Sequence, residues 1–246
     1  MRKGAVAMYA CALTDVGKAR HLNQDYVFCS EGGVGNLPNL FVVADGMGGH
    51  RAGDYASRTA VEFLLQKIRE KETRDPIVIL KDSVEKMNSY LWRCSRENPA
   101  LAGMGTTLVA AVLTGSTLQV VNVGDSRLYV IGDEIHQVTR DHSLVEELIA
   151  QGRLIRGSAE YHAKKNVITR AVGVDERVEA DFFEVKLLSD EKILLCSDGL
   201  TNMITDDEIY TIVKRSIPLK ERAAALVEAA NLSGGRDNIT VVLIER

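Results

Sequence analysis

Apolar residues occur in short runs along most of the chain, and polar or glycine-rich segments separate these runs. Such runs, bounded by Gly, Asp or Asn, predict β-strands. The predicted strands lie near residues 5–13, 25–30, 39–44, 106–113, 117–123, 127–131, 179–187, 191–196 and 238–244. Several are only a few residues apart, which favours antiparallel hairpins over parallel crossovers.

Helical periodicity comes in two pairs of segments placed between the strands. Residues 52–71 put five side chains broadly on one side of a helix: Tyr55, Val61, Leu64, Leu65 and Ile68. After Pro76 apolar residues recur at steps of three and four. Thr205–Glu208 has a capping-box pattern, and Pro218 opens the last helix. Helix pairs and antiparallel strands together indicate an α+β fold in which the pairs cover the sheets.

The chain shows no internal repeat, low-complexity segment or Pro/Ser-rich linker. Residues 1–246 are therefore expected to form a single domain. Residues 140–168 differ, because a capping pattern at Ser143–Glu146 is followed by charge, glycine and little periodicity. This segment is expected to be an exposed flap, and its composition fits a substrate-facing lid and an idle connection equally well.

Composition and charge narrow the classes of function. The 246 residues are 46% hydrophobic and 26% charged, which is typical of a globular protein with an ample core. The net charge of -4, with acids and bases interspersed, argues against binding to nucleic acid or an anionic membrane. No apolar run is long enough for a transmembrane helix, and a cytoplasmic location is expected. Scattered cysteines without C-x-x-C spacing are expected to be buried, reduced thiols.

Four aspartates share one local setting. Asp45, Asp125 and Asp198 end apolar runs, Asp237 precedes one, and each has Gly, Ser or Asn beside it. A single such aspartate is more often a turn or cap residue than a ligand. Because strand ends gather along the edges of a sheet, the four can converge, and converging carboxylates favour a hard cation such as magnesium, manganese or calcium. Gly46 has no side chain, so its carbonyl can approach a metal.

A candidate anion-binding residue lies upstream of these aspartates. Arg20 precedes Asn23, Gln24 and Asp25 at the start of a predicted strand. The planar guanidinium of arginine donates to two phosphate oxygens at once, which suits a tetrahedral oxyanion. The alternative is a surface arginine without a role in binding.

Eight motifs carry a resemblance to a known family. They are RHLNQD, ADGMGG, GMGTTL, NVGDSRLY, DHSLVEELIAQG, NVITRAVG, CSDGLTN and GGRDNITV. In this order and rough spacing they resemble the metal-dependent type-2C protein Ser/Thr phosphatases, the PPM family, and its compact bacterial members in particular. The motifs extend over essentially the whole chain, so the resemblance is specific.

The resemblance implies a four-layer α-β-β-α sandwich, with two antiparallel sheets face to face and a helix pair on each outer side. It also implies two Mn²⁺ or Mg²⁺ ions at one edge of the sandwich. Asp45 is expected to bridge the two ions. Asp198 and Asp237 would complete the ligands of the first ion, and the Gly46 carbonyl would serve the second.

The resemblance assigns further roles to other residues. Bacterial members also hold a third ion, for which Asp125 and Asp198 would be the ligands here. Arg20 matches the arginine that binds the substrate phosphate, so Arg20 and Asp45 are the expected catalytic residues. Gln24 and Asp25 are expected to lie behind the metal ligands, where a side-chain amide can still hydrogen-bond a metal-bound water.

Two positions depart from the family pattern. Many eukaryotic members have His where this chain has Met47, and that histidine is their candidate acid for the leaving alkoxide. Met47 has no proton to give, so His50 or a metal-bound water are the alternatives, and His50 can equally be a surface residue. Gln24 stands where some members have Glu, so the second ion is expected to bind more weakly.

The expected activity is hydrolysis of phosphoserine and phosphothreonine in proteins by a metal-activated water, which opposes Ser/Thr kinase signalling. The expected partners are phosphorylated proteins and a cognate Ser/Thr kinase, without nucleic acid or membrane, and a monomer is expected. An inactive phosphoprotein-binding scaffold and a calcium-regulated sensor are the alternatives. The intact Asp45, Asp198 and Asp237 favour the enzyme over the inactive scaffold.

Overall fold

A computed structural model describes residues 8–49 and 52–246. Five strands form the first sheet: β1 Tyr9–Asp15, β7 Arg127–Ile131, β8 Ile135–Gln137, β10 Lys192–Cys196 and β11 Ile239–Glu245. Their order across the sheet is β1-β11-β10-β7-β8, and every neighbouring pair is antiparallel.

The second sheet has six strands: β2 Asp25–Ser30, β3 Leu40–Met47, β4 Gly105–Thr106, β5 Leu108–Thr114, β6 Thr117–Val123 and β9 Asp181–Lys186. The order is β2-β3-β5-β6-β9, and β4 pairs with the end of β3. The pairing is again antiparallel throughout. Asp25 stands opposite Asp45 in the register of β2 and β3, so strand pairing alone makes these two acidic residues neighbours.

Seven α-helices accompany the sheets in the described residues: α1 Ala52–Arg69, α2 Pro76–Glu97, α3 Leu144–Ala150, α4 Ala159–Lys164, α5 Asp198–Thr201, α6 Asp206–Val213 and α7 Leu219–Leu232. A short 3₁₀ turn, Pro99–Leu101, follows α2. Local signals fix several helix starts. Asp75 caps α2, which has Pro76 at its first position, and Thr205 and Glu208 form the predicted capping box of α6.

Three apolar clusters produce four layers. Side chains alternate along β3, so Val42 and Ala44 face α1 and α2 while Phe41 and Val43 face the other sheet. A third cluster, which includes Leu194, joins the first sheet to α6 and α7. The predicted four-layer α+β sandwich of two antiparallel sheets and flanking helix pairs is confirmed.

The structure also corrects several details of the prediction. The first strand was predicted from residue 5; residues 5–7 lie outside the described part, and β1 begins at Tyr9. Four elements were not predicted, namely β8, α4, α5 and the 3₁₀ turn, because each is too short to show a period in the sequence. Tyr55, placed with the apolar side of its helix, is instead exposed.

Residues 140–168 contain α3 and α4. The Ser143 hydroxyl accepts a hydrogen bond from the Glu146 N–H, as its capping pattern predicts. Within the segment Arg156 forms an ion pair with Glu146 at 2.5 Å. At its base the Leu144 N–H donates to the Val167 carbonyl at 2.8 Å. The single domain of residues 1–246 and the flap role of 140–168 stay predictions.

Two further sequence expectations concern membranes and thiols. Within residues 8–49 and 52–246, no helix combines the length and the apolar character needed to cross a membrane. None of the four cysteines is in a disulfide. Cys196 is buried as expected, but Cys11, Cys29 and Cys94 are half-buried, so the expectation of four buried thiols was wrong for these three.

Candidate active site

A cavity of about 320 Å³ lies at the edge of the sandwich where β3, β6 and β10 end and β11 begins. Its lining comes from segments far apart in sequence: Arg20, Gln24, Asp45, Gly46, Met47, Gly48, Thr107, Asp125, Asn166, Ile168, Asp198, Asp237 and Asn238. The structure thus brings the four strand-end aspartates together with Arg20 and Gln24. His50 lies outside the described residues.

The backbone of Asp45 is held from both sides of the peptide. Its N–H donates to the Thr107 hydroxyl at 2.9 Å, and its carbonyl accepts from the Thr107 N–H at 2.8 Å. The Thr107 hydroxyl is also 2.8 Å from the Ser126 hydroxyl, beside Asp125. Main-chain and hydroxyl groups therefore hold the strand at the point where Asp45 lines the cavity.

Gly46 is required by packing, whatever it binds. A Cβ atom at this position would lie 2.0 Å from the Gly53 carbonyl oxygen, near the start of α1. The Gly46 N–H donates to the Gln24 carbonyl at 3.0 Å, so strand and helix approach closely at this point. The role of the Gly46 carbonyl as a metal ligand stays a prediction. Close packing against Gly53 is a separate reason for glycine at this position.

Asp198 is the first residue of α5, which corrects the expectation that it ends a strand, because β10 already ends at Cys196. Its Oδ2 accepts from the Asn202 side-chain amide at 2.8 Å. The Asn202 Oδ1 in turn accepts from the Lys165 ammonium at 2.7 Å. The other carboxylate oxygen, Oδ1, is buried and has no hydrogen-bond partner among the described residues. It is therefore available to a ligand in the cavity.

Arg20 and Asp237 form an ion pair at 2.8 Å. Their side chains are 53% and 36% exposed, so both remain accessible from the cavity mouth. Asn238 holds the loop that carries Arg20: its amide nitrogen donates to the carbonyls of Val16 and Leu22 at 2.9 and 3.0 Å. Sequence reasoning gave Asn238 no role, although it follows Asp237 directly in the GGRDNITV motif.

Asp25 does not line the cavity, and its position agrees with a place behind the predicted ligands. It is buried, and its Oδ2 accepts from the hydroxyls of Ser197 and Thr240 at 2.7 and 2.6 Å. Asp25 Oδ1 has no hydrogen-bond partner among the described residues. Burial raises the pKa of Asp25 to about 7, although the two hydroxyl bonds oppose the shift.

The carboxylates of the cavity repel one another. Burial, followed by repulsion from Asp25, Asp198 and other neighbours, raises the pKa of Asp45 well above its usual range. Burial and then the charge of Asp237 raise the pKa of Asp198 to about 6. For Asp125, burial and then the charge of Asp198 raise the pKa to about 8. Divalent cations relieve this kind of repulsion, because they replace protons as the positive partner.

The donor set fits hard divalent cations that keep part of their water. Carboxylate and carbonyl oxygens are the ligands of magnesium and manganese, and neither Cys nor His is among the described residues that line the cavity. Among residues 8–49 and 52–246, no three acidic, His or Cys side chains are arranged to hold one ion by themselves. Magnesium typically binds through one or two carboxylates plus water, so this spacing still suits it.

The raised pKa values predict how the stability of the protein depends on pH in chelator. An unfolded aspartate has a pKa of about 3.9, so the folded state binds more protons up to about pH 8, and stability falls as pH rises. His142 opposes this trend only at lower pH, because burial lowers its pKa. In EDTA we expect the melting temperature to fall from pH 7.0 to 8.5.

Differential scanning calorimetry at the two pH values tests this expectation. Asp125→Asn removes one of the carboxyls with a raised pKa, so the melting temperature of this variant should fall less than that of the wild type. A wild-type melting temperature that rises over this interval would contradict the raised carboxyl pKa values. An equal fall in the variant would contradict the raised pKa of Asp125.

Known proteins are similar to this chain over most of its length. The profile of the family described as Protein phosphatase 2C matches residues 18–234. The serine/threonine phosphatase stp of Listeria monocytogenes is 43% identical over 248 residues, covering 97% of this chain and 96% of its own length. Protein phosphatase PhpP of Streptococcus pneumoniae is 42% identical over 239 residues, covering 94% and 95%.

Solved structures show the same similarity. The serine/threonine phosphatase of S. agalactiae superposes with a TM-score of 0.90 at 36% identity, covering 97% of this chain and 99% of the other. The catalytic domain of PstP, solved in complex with two manganese ions, superposes with a TM-score of 0.83 at 34% identity, covering 97% of each chain.

Proposed function

The chain belongs to the protein phosphatase 2C family of metal-dependent serine/threonine phosphatases, and on this premise we propose that the carboxylate cavity is its active site. The observation that carries the proposal is the convergence of Asp45, Asp125, Asp198 and Asp237 on one cavity beside Arg20. The substrates are phosphoserine and phosphothreonine in proteins.

The proposed ligands of two divalent cations are Asp45, Asp198, Asp237 and the Gly46 carbonyl. Asp45 would contribute to holding both ions, and Asp125 and Asp198 would hold a third. Bound divalent cations lower the pKa of the water that attacks phosphorus and offset the charge of the phosphate. The unpartnered Asp198 Oδ1 and the elevated carboxyl pKa values support this assignment. Manganese is proposed because the similar PstP catalytic domain was solved with two manganese ions. Magnesium is proposed because it prefers oxygen ligands of this kind.

Arg20 is proposed to bind the phosphate of the substrate. Its guanidinium lines the cavity and is oriented by the ion pair with Asp237, while further N–H donors of the planar group can reach phosphate oxygens. Asn238 keeps this loop next to Asp237. Met47 lines the cavity but has no proton to transfer, so the leaving group is not protonated from this position.

Arg20→Ala is expected mainly to raise KM for a small aryl phosphate such as p-nitrophenyl phosphate. Loss of a charged hydrogen bond costs about 2–3 kcal/mol, which is roughly 30- to 150-fold in kcat/KM. The assay is run at saturating manganese, because Arg20 also contacts Asp237. Arg236→Ala is the matched control, since this exposed arginine is adjacent to Asp237 but does not line the cavity. An unchanged KM with a collapsed kcat would exclude ground-state phosphate binding by Arg20.

The biological setting is proposed from the family of the chain. Phosphorylated proteins are the substrates, and a cognate Ser/Thr kinase is the proposed counterpart in signalling. A monomer that works in the cytoplasm, without nucleic acid or membrane, stays a prediction from the sequence.

The experiment that tests the proposed function measures phosphate release from a phosphothreonine peptide. The protein is assayed with manganese, with magnesium, with calcium and with EDTA. We expect turnover with manganese or magnesium and at least about a 100-fold loss in EDTA, because the carboxylates alone do not activate water. Turnover that persists in EDTA would reject a metal-dependent site, and turnover with calcium alone would favour the calcium-regulated alternative.

A further inference from the structure

The turn that carries Asp125 is tightly enclosed. Gly124 has φ +101°, and a Cβ atom there would lie 2.7 Å from the Thr107 side chain. On the other side of Asp125, the Ser126 hydroxyl is 2.8 Å from that of Thr107. The turn therefore rests against Thr107, but this contact alone does not determine how far Asp125 extends into the cavity.

His142 holds the opposite side of the same turn. The ring nitrogen Nδ1 of His142 accepts a hydrogen bond from the Gly124 N–H at 3.2 Å. The main-chain N–H of His142 donates to the Gly124 carbonyl at 2.9 Å. The residue is 5% exposed, so water does not compete for these bonds. Gly124 is thus bonded at both its N–H and its carbonyl by a single residue 18 positions away.

The second ring nitrogen faces a carboxylate at close range. His142 Nε2 lies 3.2 Å from Asp181 Oδ2 at the start of β9, and Asp181 Oδ1 is 3.3 Å from Arg170. Nδ1 accepts a hydrogen bond, so the proton of the neutral ring is on Nε2, facing the carboxylate. The His142 carbonyl accepts from the Thr169 N–H at 2.8 Å. The ring is therefore held between the Asp125 turn and β9, at the base of the 140–168 segment.

We propose that His142 is a positioning residue that holds the Asp125 carboxylate in the cavity through its bond to the Gly124 peptide. The proposal rests on the proposed function, because it matters for catalysis only if Asp125 is a metal ligand. Without the bond the Gly124 N–H would be buried and unpaired, and a glycine in the turn permits the peptide to shift.

Two substitutions separate the two ring nitrogens. In His142→Asn the side-chain oxygen lies near the former Nδ1, so the acceptor for the Gly124 N–H is retained. In His142→Gln the polar group lies near the former Nε2, so that acceptor is lost. The first measurement is amide hydrogen exchange at Gly124 by NMR in metal-free protein. We expect exchange at least about 10-fold faster in His142→Gln and close to the wild-type rate in His142→Asn.

The second measurement is calorimetric titration with manganese, using Asp125→Ala as reference. His142→Gln should lose binding of the third manganese ion, as is expected for Asp125→Ala, and His142→Asn should bind manganese like the wild type. Should His142→Gln not fold, Asp181→Ala serves instead. It removes the half-exposed carboxylate that faces Nε2 and should also speed Gly124 exchange. Unchanged Gly124 exchange in the folded variant, or equal defects in His142→Asn and His142→Gln, would overturn the proposal. If Asp125→Ala binds manganese normally, the ligand role of Asp125 fails, and Gly124 exchange alone decides the role of His142.

Discussion

Asp45→Asn is expected to abolish turnover while the protein remains folded. Asp45 lines the cavity close to Asp198, and it is the only acidic residue of β3. Bound cations contribute several kcal/mol to the stabilisation of a phosphoryl transition state, so we expect kcat to fall by roughly 10³-fold or more. The amide keeps the size of the side chain, and its loss of charge relieves the repulsion that raises the pKa of Asp45.

Phosphate release and the melting temperature, each measured with and without manganese, check this expectation. In EDTA the variant should melt at or above the wild-type temperature, and the stabilisation that manganese gives the wild type should be much smaller. Asp190→Asn, an exposed aspartate far from the cavity, is the matched control. An active Asp45→Asn protein in excess manganese would remove Asp45 from the metal site.

Asp125→Ala is expected to lower kcat by at least about 10-fold while the remaining aspartates still bind manganese. Asp125 is 9% exposed and lines the cavity beside Asp198, whose charge contributes to its elevated pKa. The leaving group receives no proton from Met47. We therefore expect turnover to depend on the third ion for which Asp125 and Asp198 are the proposed ligands.

The opposing view treats Asp125 as a turn residue. That view predicts a loss of about 1 kcal/mol of stability, from one turn hydrogen bond, with near-normal kcat. The metal-ligand view predicts the opposite stability change in EDTA, because the substitution removes a buried carboxylate from a repelling group. The measurement is kcat across a manganese titration together with the melting temperature. Full activity at ordinary manganese with a lowered melting temperature would leave Asp125 as a turn residue.

Local pattern predicted much of the fold because each layer depends on alternation within a few residues. Val42 and Phe41 face opposite sides of one sheet, and both are apolar, so β3 reads as a buried strand in the sequence. The register that puts Asp25 opposite Asp45 depends on partners chosen across the chain, and periodicity does not specify it. Elements as short as β8 and α5 owe their conformation to tertiary contacts, so the sequence gives little sign of them.

The same distinction applies to the cavity. The aspartates could be found because each stands beside a small or polar residue at the end of an apolar run. The residues that orient them could not, since Asn238 acts on a loop 216 residues away at Leu22 and His142 acts on Gly124 through a ring nitrogen. In the sequence, nothing distinguishes such long-range partners from other polar residues, because only the fold brings them into contact.

The most direct test of the metal site is anomalous diffraction at the manganese absorption edge from crystals of this protein grown with manganese. We expect two strong anomalous peaks in the cavity lined by Asp45, Asp198 and Asp237, and a third peak beside Asp125. The two strong peaks should disappear or weaken greatly in Asp45→Asn crystals grown in the same way. A cavity without anomalous density in wild-type crystals that bind manganese elsewhere would contradict metal binding by these aspartates.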